Sequence, residues 1–393
     1  MLKKLPANSF PAYALLAFIA MAGLSYINFL PGVVNALAGD IGFDDAEAGQ
    51  VVALNGYGGL VGSTAAIFLV RRIRWQPAMF TFLAALTVVD IGTMWVADYG
   101  LMLGWRFFAG VLGGLCVGIG FSVLARLSNS DRAFGLLLFV QFSIGSLVIY
   151  LLPGLEAQLS AHAVFYVMAS FAFLSLIFLL FLPALSLNGK SVRQTAPLPG
   201  LFGNSLLLLS AIILYQVAAS AIWAYVGLIG HRAGIAAENV SLYIATTGLL
   251  GLLGAMLPVI NGNRFGRLYW ITAGIALSIT ASAVLSISQL TSPLYLISMA
   301  LLFFSWPAVQ SYLLAVTAEM DRSGRLSTIA AVVSSVGLAT GPLLASVLLD
   351  GGSFSMMLYT CAVVFLMSFL LLFRPVQARE NAETAAVSSQ YQS

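Results

Sequence analysis

Twelve apolar runs, each roughly 18 to 27 residues long and joined by short polar connections, leave this chain few ways to fold. They lie near 11–37, 50–70, 77–97, 101–125, 134–155, 163–185, 203–229, 240–260, 268–287, 294–317, 327–349 and 356–373. As a helix, each is long enough to cross a hydrocarbon layer about 30 Å thick. Only 8% of the residues are charged, against about 25% in soluble domains. The opening Met-Leu-Lys-Lys and the run behind it imitate a secretory leader. That run is too long for the apolar part of a leader, however, and eleven like it follow. The predicted fold class is an all-α integral membrane protein with twelve transmembrane helices.

Charge sorts these helices by side. Fifteen of the seventeen Lys and Arg fall in connections or termini on one side of the membrane. Arg232 alone lies on the other, and Arg106 lies within a span. The opposite side carries acids: Asp40, Asp44, Asp45, Glu47, Asp98, Glu156, Glu238 and Asp350. The positive-inside rule then places both termini in the cytoplasm, with the protein in the cytoplasmic (inner) membrane. A net charge of +3 with no basic stripe excludes nucleic acid as a partner. Cys116 and Cys361 both sit in apolar runs and read as small buried hydrophobes, not as a disulfide or metal pair.

The chain is also duplicated. Gly59 and Gly62 on span 2 match Gly251 and Gly254 on span 8 at an offset of 192. Tyr26 and Tyr215 are 189 apart, and Asp131-Arg132 matches Asp321-Arg322 at 190. The basic loop Arg71-Arg72-Ile73-Arg74 matches Asn263-Arg264-Phe265-Gly266-Arg267, with Trp75 and Trp270 just beyond. Six spans are an even number, so the two copies insert in the same orientation as parallel halves, expected to meet around a central cavity and to rock about it. The expected domains are a six-helix bundle at 1–185, a cytoplasmic linker at 186–200 and a second bundle at 201–374. A polar tail at 375–393 without apolar periodicity is expected to be disordered.

Two ionisable side chains interrupt the apolar runs. Asp90 on span 3 and Arg106 on span 4 stand at nearly the same depth, within roughly 3 Å by helix rise. Behind Arg106, Gly110, Gly114 and Gly118 recur at every fourth residue, a spacing that lets a neighbouring helix approach backbone to backbone. Charges at this depth face a bundle interior or a wet cavity. The pair is either a proton or anion site, its arginine released when Asp90 is protonated, or a static ion pair that lets both charges tolerate lipid.

The six-plus-six layout with basic loops after spans 2 and 8 resembles the major facilitator superfamily over essentially the whole chain. That family's loop signature has the form G-x-x-x-D-R-x-G-R. Residues 263–267 fit its latter part, with Asn263 at the acidic position and Val259 at the leading glycine. The first copy fits poorly, with Arg71 at the acidic position and Arg74 at the glycine. Arg106 followed by Ala109-Gly110 is similar to the family's fourth-helix arginine motif, linked to proton coupling. Gly337-Leu338-Ala339-Thr340-Gly341-Pro342 resembles the glycine–proline motif of drug antiporters, displaced here from span 5 to span 11. The resemblance implies two parallel six-helix repeats and transport by alternating access, with spans 1, 4, 7 and 10 lining the cavity.

On those spans, Tyr26, Asn28 and Asn35 (span 1), Gln216 and Trp223 (span 7), and Trp306 and Gln310 (span 10) are candidates for solute binding or coupling. Asp90, Arg106 and Gln141 on span 5 join them. Interhelical hydrogen bonding is the plainer role for any single amide here. Arg71, Arg72, Arg74, Asp131, Arg132, Arg264, Arg267, Asp321, Arg322 and Arg325 are candidates for a cytoplasmic gate of weak surface pairs. The predicted function is secondary-active transport of a small neutral or anionic organic solute, coupled to a proton or another ion, by a monomer in the bilayer without cofactor or metal. Proton-antiport efflux of drugs or metabolites is the alternative. No HExxH, GxSxG or Walker-type stretch occurs, and His162 and His231 stand apart, so an intramembrane enzyme is the weaker alternative from another class, together with a non-transporting membrane protein.

Overall fold

The computed structural model describes residues 4–6, 9–39, 41–70, 72–127, 129–182, 203–261, 264–321 and 325–390, and among them every regular element is helical. Among the described residues, twelve helical stretches are long and apolar enough to cross a membrane. The first span is two helices, α1 (Phe10–Asn28) and α2 (Leu30–Ala38), which meet at Phe29. Pro31 lies in the first turn of α2, where its missing N–H is tolerated. Spans 2 to 6 are α3 (Asp45–Leu69), α4 (Trp75–Gly92), α5 (Tyr99–Leu124), α6 (Ser130–Gln158) and α7 (Ala163–Phe181). One tight turn, Thr93–Trp95, extends α4.

The second copy follows with α8 (Asn204–Arg232), the pair α9 (Ala237–Gly248) and α10 (Leu250–Asn261), then α11 (Arg267–Leu285), α12 (Ser292–Met320), α13 (Arg325–Leu349) and α14 (Phe354–Gln390). Span 8 is therefore broken at Leu249, between glycines at 248 and 251, whereas span 2 is one continuous helix. Several acids of the face opposite the basic loops turn out to be helix caps. Asp44 and Glu47 close a reciprocal capping box on α3, with Glu47 N–H 2.6 Å from Asp44 Oδ1. Asp98 accepts from Leu101 N–H at 2.8 Å and starts α5.

Packing defines two compact units, and their boundaries differ from the division at 185 and 201. The first comprises Met1–Arg193 with Ala224–His231 and Ala236–Ala245; the second holds the remainder. Tyr225 explains part of the difference, because its hydroxyl donates to the Asp45 carbonyl at 2.6 Å within the first unit. That unit's core is apolar side chains of α1, α4 and α5, among them Leu16, Ile19, Met21, Leu83, Cys116 and Ile119. Large apolar residues such as Phe68, Val88, Trp95, Ile260 and Leu370 point outward, two-thirds or more exposed or nearly so. That surface requires lipid as its solvent.

The crossing of α3 and α5 is the tightest in the first unit. A Cβ placed on Gly58 or Gly62 would lie 2.1 Å from the carbonyl oxygen of Phe107 or Val111. One on Gly110 or Gly114 would lie 2.0 or 2.1 Å from that of Asn55 or Gly59. The glycine row of span 4 thus meets span 2 backbone to backbone, as its spacing predicts.

The last helix runs on to Gln390, through the tail expected to be disordered. Two charges fasten its extension to the second unit. Glu380 Oε1 accepts from Leu268 N–H at 2.8 Å, and Arg379 Nε lies 3.9 Å from Glu319 Oε2. A polar segment needs no apolar face when its charges satisfy exposed helix ends.

Candidate functional site

In the first unit the polar centre is built on a fixed register between α4 and α5. Trp105 Nε1–H donates to the Val89 carbonyl at 2.9 Å, and its ring lies where a Cβ on Gly92 would be. The next residue on each helix completes the centre: Arg106 Nη1 donates to Asp90 Oδ1 at 2.8 Å and to Thr93 Oγ1 at 3.2 Å. Both charges are 1% exposed. Two aromatic rings cover the guanidinium, Tyr26 at 4.9 Å and Phe165 at 5.1 Å from ring centre to Cζ. Each ring face attracts a cation, most effectively where water is absent.

This centre is incompletely satisfied. Asp90 Oδ2, Arg106 Nε and the Tyr26 hydroxyl are all buried without a hydrogen-bond partner. A buried polar atom left unmatched costs about 1–3 kcal/mol, and a charged one more.

The second unit provides the control. Tyr215 and Ser278 occupy the places of Tyr26 and Asp90 in the repeat, at offsets of 189 and 188. There the Tyr215 hydroxyl lies 3.0 Å from Ser278 Oγ, which lies 2.9 Å from Ser305 Oγ. Ser278 and Ser305 donate onward to the carbonyls of Gly274 and Leu302. The same tyrosine position is held by a neutral chain of hydroxyls with every oxygen paired.

A separate polar cluster in the second unit joins α8, α12 and α13. Trp306 Nε1–H donates to Gln216 Oε1 at 2.6 Å. Gln216 Nε2 and Gln310 Nε2 both donate to Ser334 Oγ, at 2.7 and 2.8 Å. Gln310 Oε1 is buried and has no partner. Trp223 packs edge-to-face on Phe303 one turn away, with ring centres 5.2 Å apart. The cluster carries no charge. Three of its members were expected from span position; Ser334 was not, because a serine on an apolar helix gives no signal of which neighbour it faces.

The other candidates are dispersed. Asn28 Nδ2 and Asn35 Oδ1 are buried without partners in the first unit, and Asn35 fills the space beside Gly227. Gln141 is half-buried on α6 and joins neither cluster. Among the candidate gate residues, Arg267 forms a bidentate pair with Glu319 inside the second unit. Asp321 accepts from Leu326 N–H at 3.0 Å and starts α13. Arg132 covers the ring of Phe10 at 5.3 Å. Arg72, Arg74 and Arg264 are exposed. Arg71 and Arg322, with the side chains of Asp131 and Arg325, lie outside the described residues.

With this architecture in view, the chain belongs to the Major Facilitator Superfamily, whose family model matches residues 14–319 and 262–391. It is a transmembrane transporter of that class. Its fold is similar to that of a variant of the nucleoside transporter NupG, at 12% identity and a TM-score of 0.77, covering 93% of this chain and 98% of that one. A D-xylose–proton symporter is similar at 16% identity and 0.73, covering 93% and 97%. A bacterial homolog of the human lysosomal transporter Spinster, inward-facing and unoccupied, is similar at 13% identity and 0.67, covering 95% and 96%. Comparison with curated proteins gives no significant match.

Proposed function

We propose that this chain is a proton-coupled secondary transporter that moves a small organic solute, neutral or anionic, by alternating access across the inner membrane, with both termini cytoplasmic. One observation carries the reading: a buried Asp90–Arg106 pair with two unmatched polar atoms, Asp90 Oδ2 and Arg106 Nε, at a place where the second unit manages with neutral hydroxyls. A carboxylate that binds a proton loses its hold on the guanidinium, and the freed arginine then has donors for solute or for a neighbouring helix. Thr93 and the two rings keep the guanidinium in place while Asp90 changes state.

The amide and indole cluster of the second unit is the solute-holding part of the proposal. Gln310 offers an unpaired acceptor beside its own amide donor, which suits a hydroxyl or amide edge. Neutral, hydroxyl-bearing solutes such as nucleosides and D-xylose are named for two proteins of similar fold, and they serve as first probes. The test uses protein in liposomes loaded for counterflow and for accumulation under an imposed pH gradient. Asp90→Asn is expected to lose gradient-driven accumulation and to keep exchange. Undiminished accumulation in that variant removes Asp90 from the mechanism.

A further inference from the structure

Asn55 is a buried amide that neither the coupling pair nor the solute cluster uses. It lies on α3, is 5% exposed, and its Nδ2 donates to the main-chain carbonyl of Arg106 at 2.8 Å. That carbonyl also lies within the α5 hydrogen-bond ladder, so the amide occupies its second lone pair. The contact falls in the glycine crossing, where the Asn55 carbonyl oxygen lies 2.0 Å from a Cβ built on Gly110. The residue that carries the guanidinium is therefore tied on two sides. Trp105 fastens the turn to α4 through Val89, and Asn55 fastens Arg106 itself to α3.

The corresponding position of the second copy carries a different residue. At the offset of 192 that aligns Gly59 with Gly251, the position of Asn55 is taken by Thr247, and the helix breaks two residues later, at Leu249. A continuous span with an anchoring amide goes with the arginine; a broken span goes with neutral hydroxyls. An interhelical hydrogen bond in a membrane contributes only about 0.6 kcal/mol on average, so helix adhesion alone is a weak reason for burying an amide among glycines.

We infer that Asn55 is a positioning residue, which sets the height and rotation of Arg106 against Asp90 and so sets the strength of the proton site. This rests on the coupling role proposed above for Asp90. The charged group facing Asp90 is Arg106, and Tyr26 is the neutral titratable group over that guanidinium. The starts of the packed helices add Asp98, which caps α5, and Tyr99 on it, with His162 just before α7 and Tyr166 on it. Burial lowers the tendency of the His162 imidazole, in the connection before α7, to take a proton.

The experiment is infrared difference spectroscopy of the purified full chain in liposomes, titrated with pH, following the protonated-carboxyl band that Asp90→Asn removes. Asn55→Ala is expected to displace the midpoint of that band by about one pH unit. Asn55→Thr, with a donor of shorter reach, is expected to displace it less and serves if the alanine variant does not fold. Ser282→Ala removes a buried bond to the Leu358 carbonyl in the second unit and is expected to lower stability without moving the band. A midpoint unchanged in both Asn55 variants overturns the inference while leaving the Asp90 assignment intact. A wild-type protein with no titrating band assignable to Asp90 overturns that assignment, and this inference with it.

Discussion

The two six-span copies solve the same packing problem with different chemistry. In the first, Tyr26 lies over an ion pair that leaves two polar atoms unmatched, Asp90 Oδ2 and Arg106 Nε. In the second, Tyr215 starts a chain of serine hydroxyls in which every oxygen is paired. The fold therefore tolerates a neutral centre at this place in the repeat. Buried ion pairs are often no more stabilising than apolar side chains of similar volume, so the charges in the first copy call for a reason other than stability. The coupling role proposed for Asp90 supplies one. The scaffolds differ in step with the centres: span 2 is a single helix locked to span 4 by glycines, while span 8 breaks at Leu249.

Substitutions that pull the two copies apart should differ greatly in effect. Arg106→Ala strands the Asp90 carboxylate and should destabilise the protein by about 3–5 kcal/mol, read as loss of monodisperse protein and a large drop in melting temperature. Gly62→Ala and Gly254→Ala each place a methyl about 2.1 Å from a carbonyl oxygen of the facing span and should each cost about 1–3 kcal/mol. Only the first should also displace the carboxyl titration, because only that crossing carries the arginine.

Gln310→Leu should weaken solute binding about tenfold, equivalent to about 1.4 kcal/mol, as measured by calorimetry with the solute identified in counterflow. It should leave the Asp90 band in place. Glu380→Ala, which removes the cap on Leu268 N–H, should cost about 1 kcal/mol and raise hydrogen exchange at the start of α11. Ser278→Ala leaves the buried Tyr215 hydroxyl without its Ser278 partner and should cost about 1–3 kcal/mol, but it should have the smallest effect on function, with transport intact. A loss of transport in Ser278→Ala comparable to that in Asp90→Asn would erase the distinction between the copies.

What the sequence makes legible follows from how rare a signal is. Twelve apolar runs and their matched loops are visible because charge is scarce, and Asp90 and Arg106 stand out for the same reason. The glycine row of span 4 gives its contact away through spacing alone. Asn55, Thr93, Phe165 and Ser334 stay hidden, since small polar and aromatic residues are common in spans and their facing depends on tertiary packing. The break in span 1 has a local cause at Pro31, whereas the break in span 8 falls between ordinary glycines. The helical extension past Arg374 is illegible for a related reason: Arg379 and Glu380 find their partners more than 50 residues away, at Glu319 and Leu268. Likewise, the partners of Arg267 and Asp321 in the structure, Glu319 and Leu326 N–H, lie on α12 and α13 and are not marked by any motif.

The most direct measurement gives the first copy a neutral centre like that of the second. In the double substitution Asp90→Ser with Arg106→Met, both charges are removed together and none is left stranded. Melting temperature and accumulation of solute under a pH gradient are then measured on the same preparation. The account predicts a melting temperature close to that of the wild type and no gradient-driven accumulation. A protein that fails to fold, or one that still concentrates solute against the gradient, would contradict it.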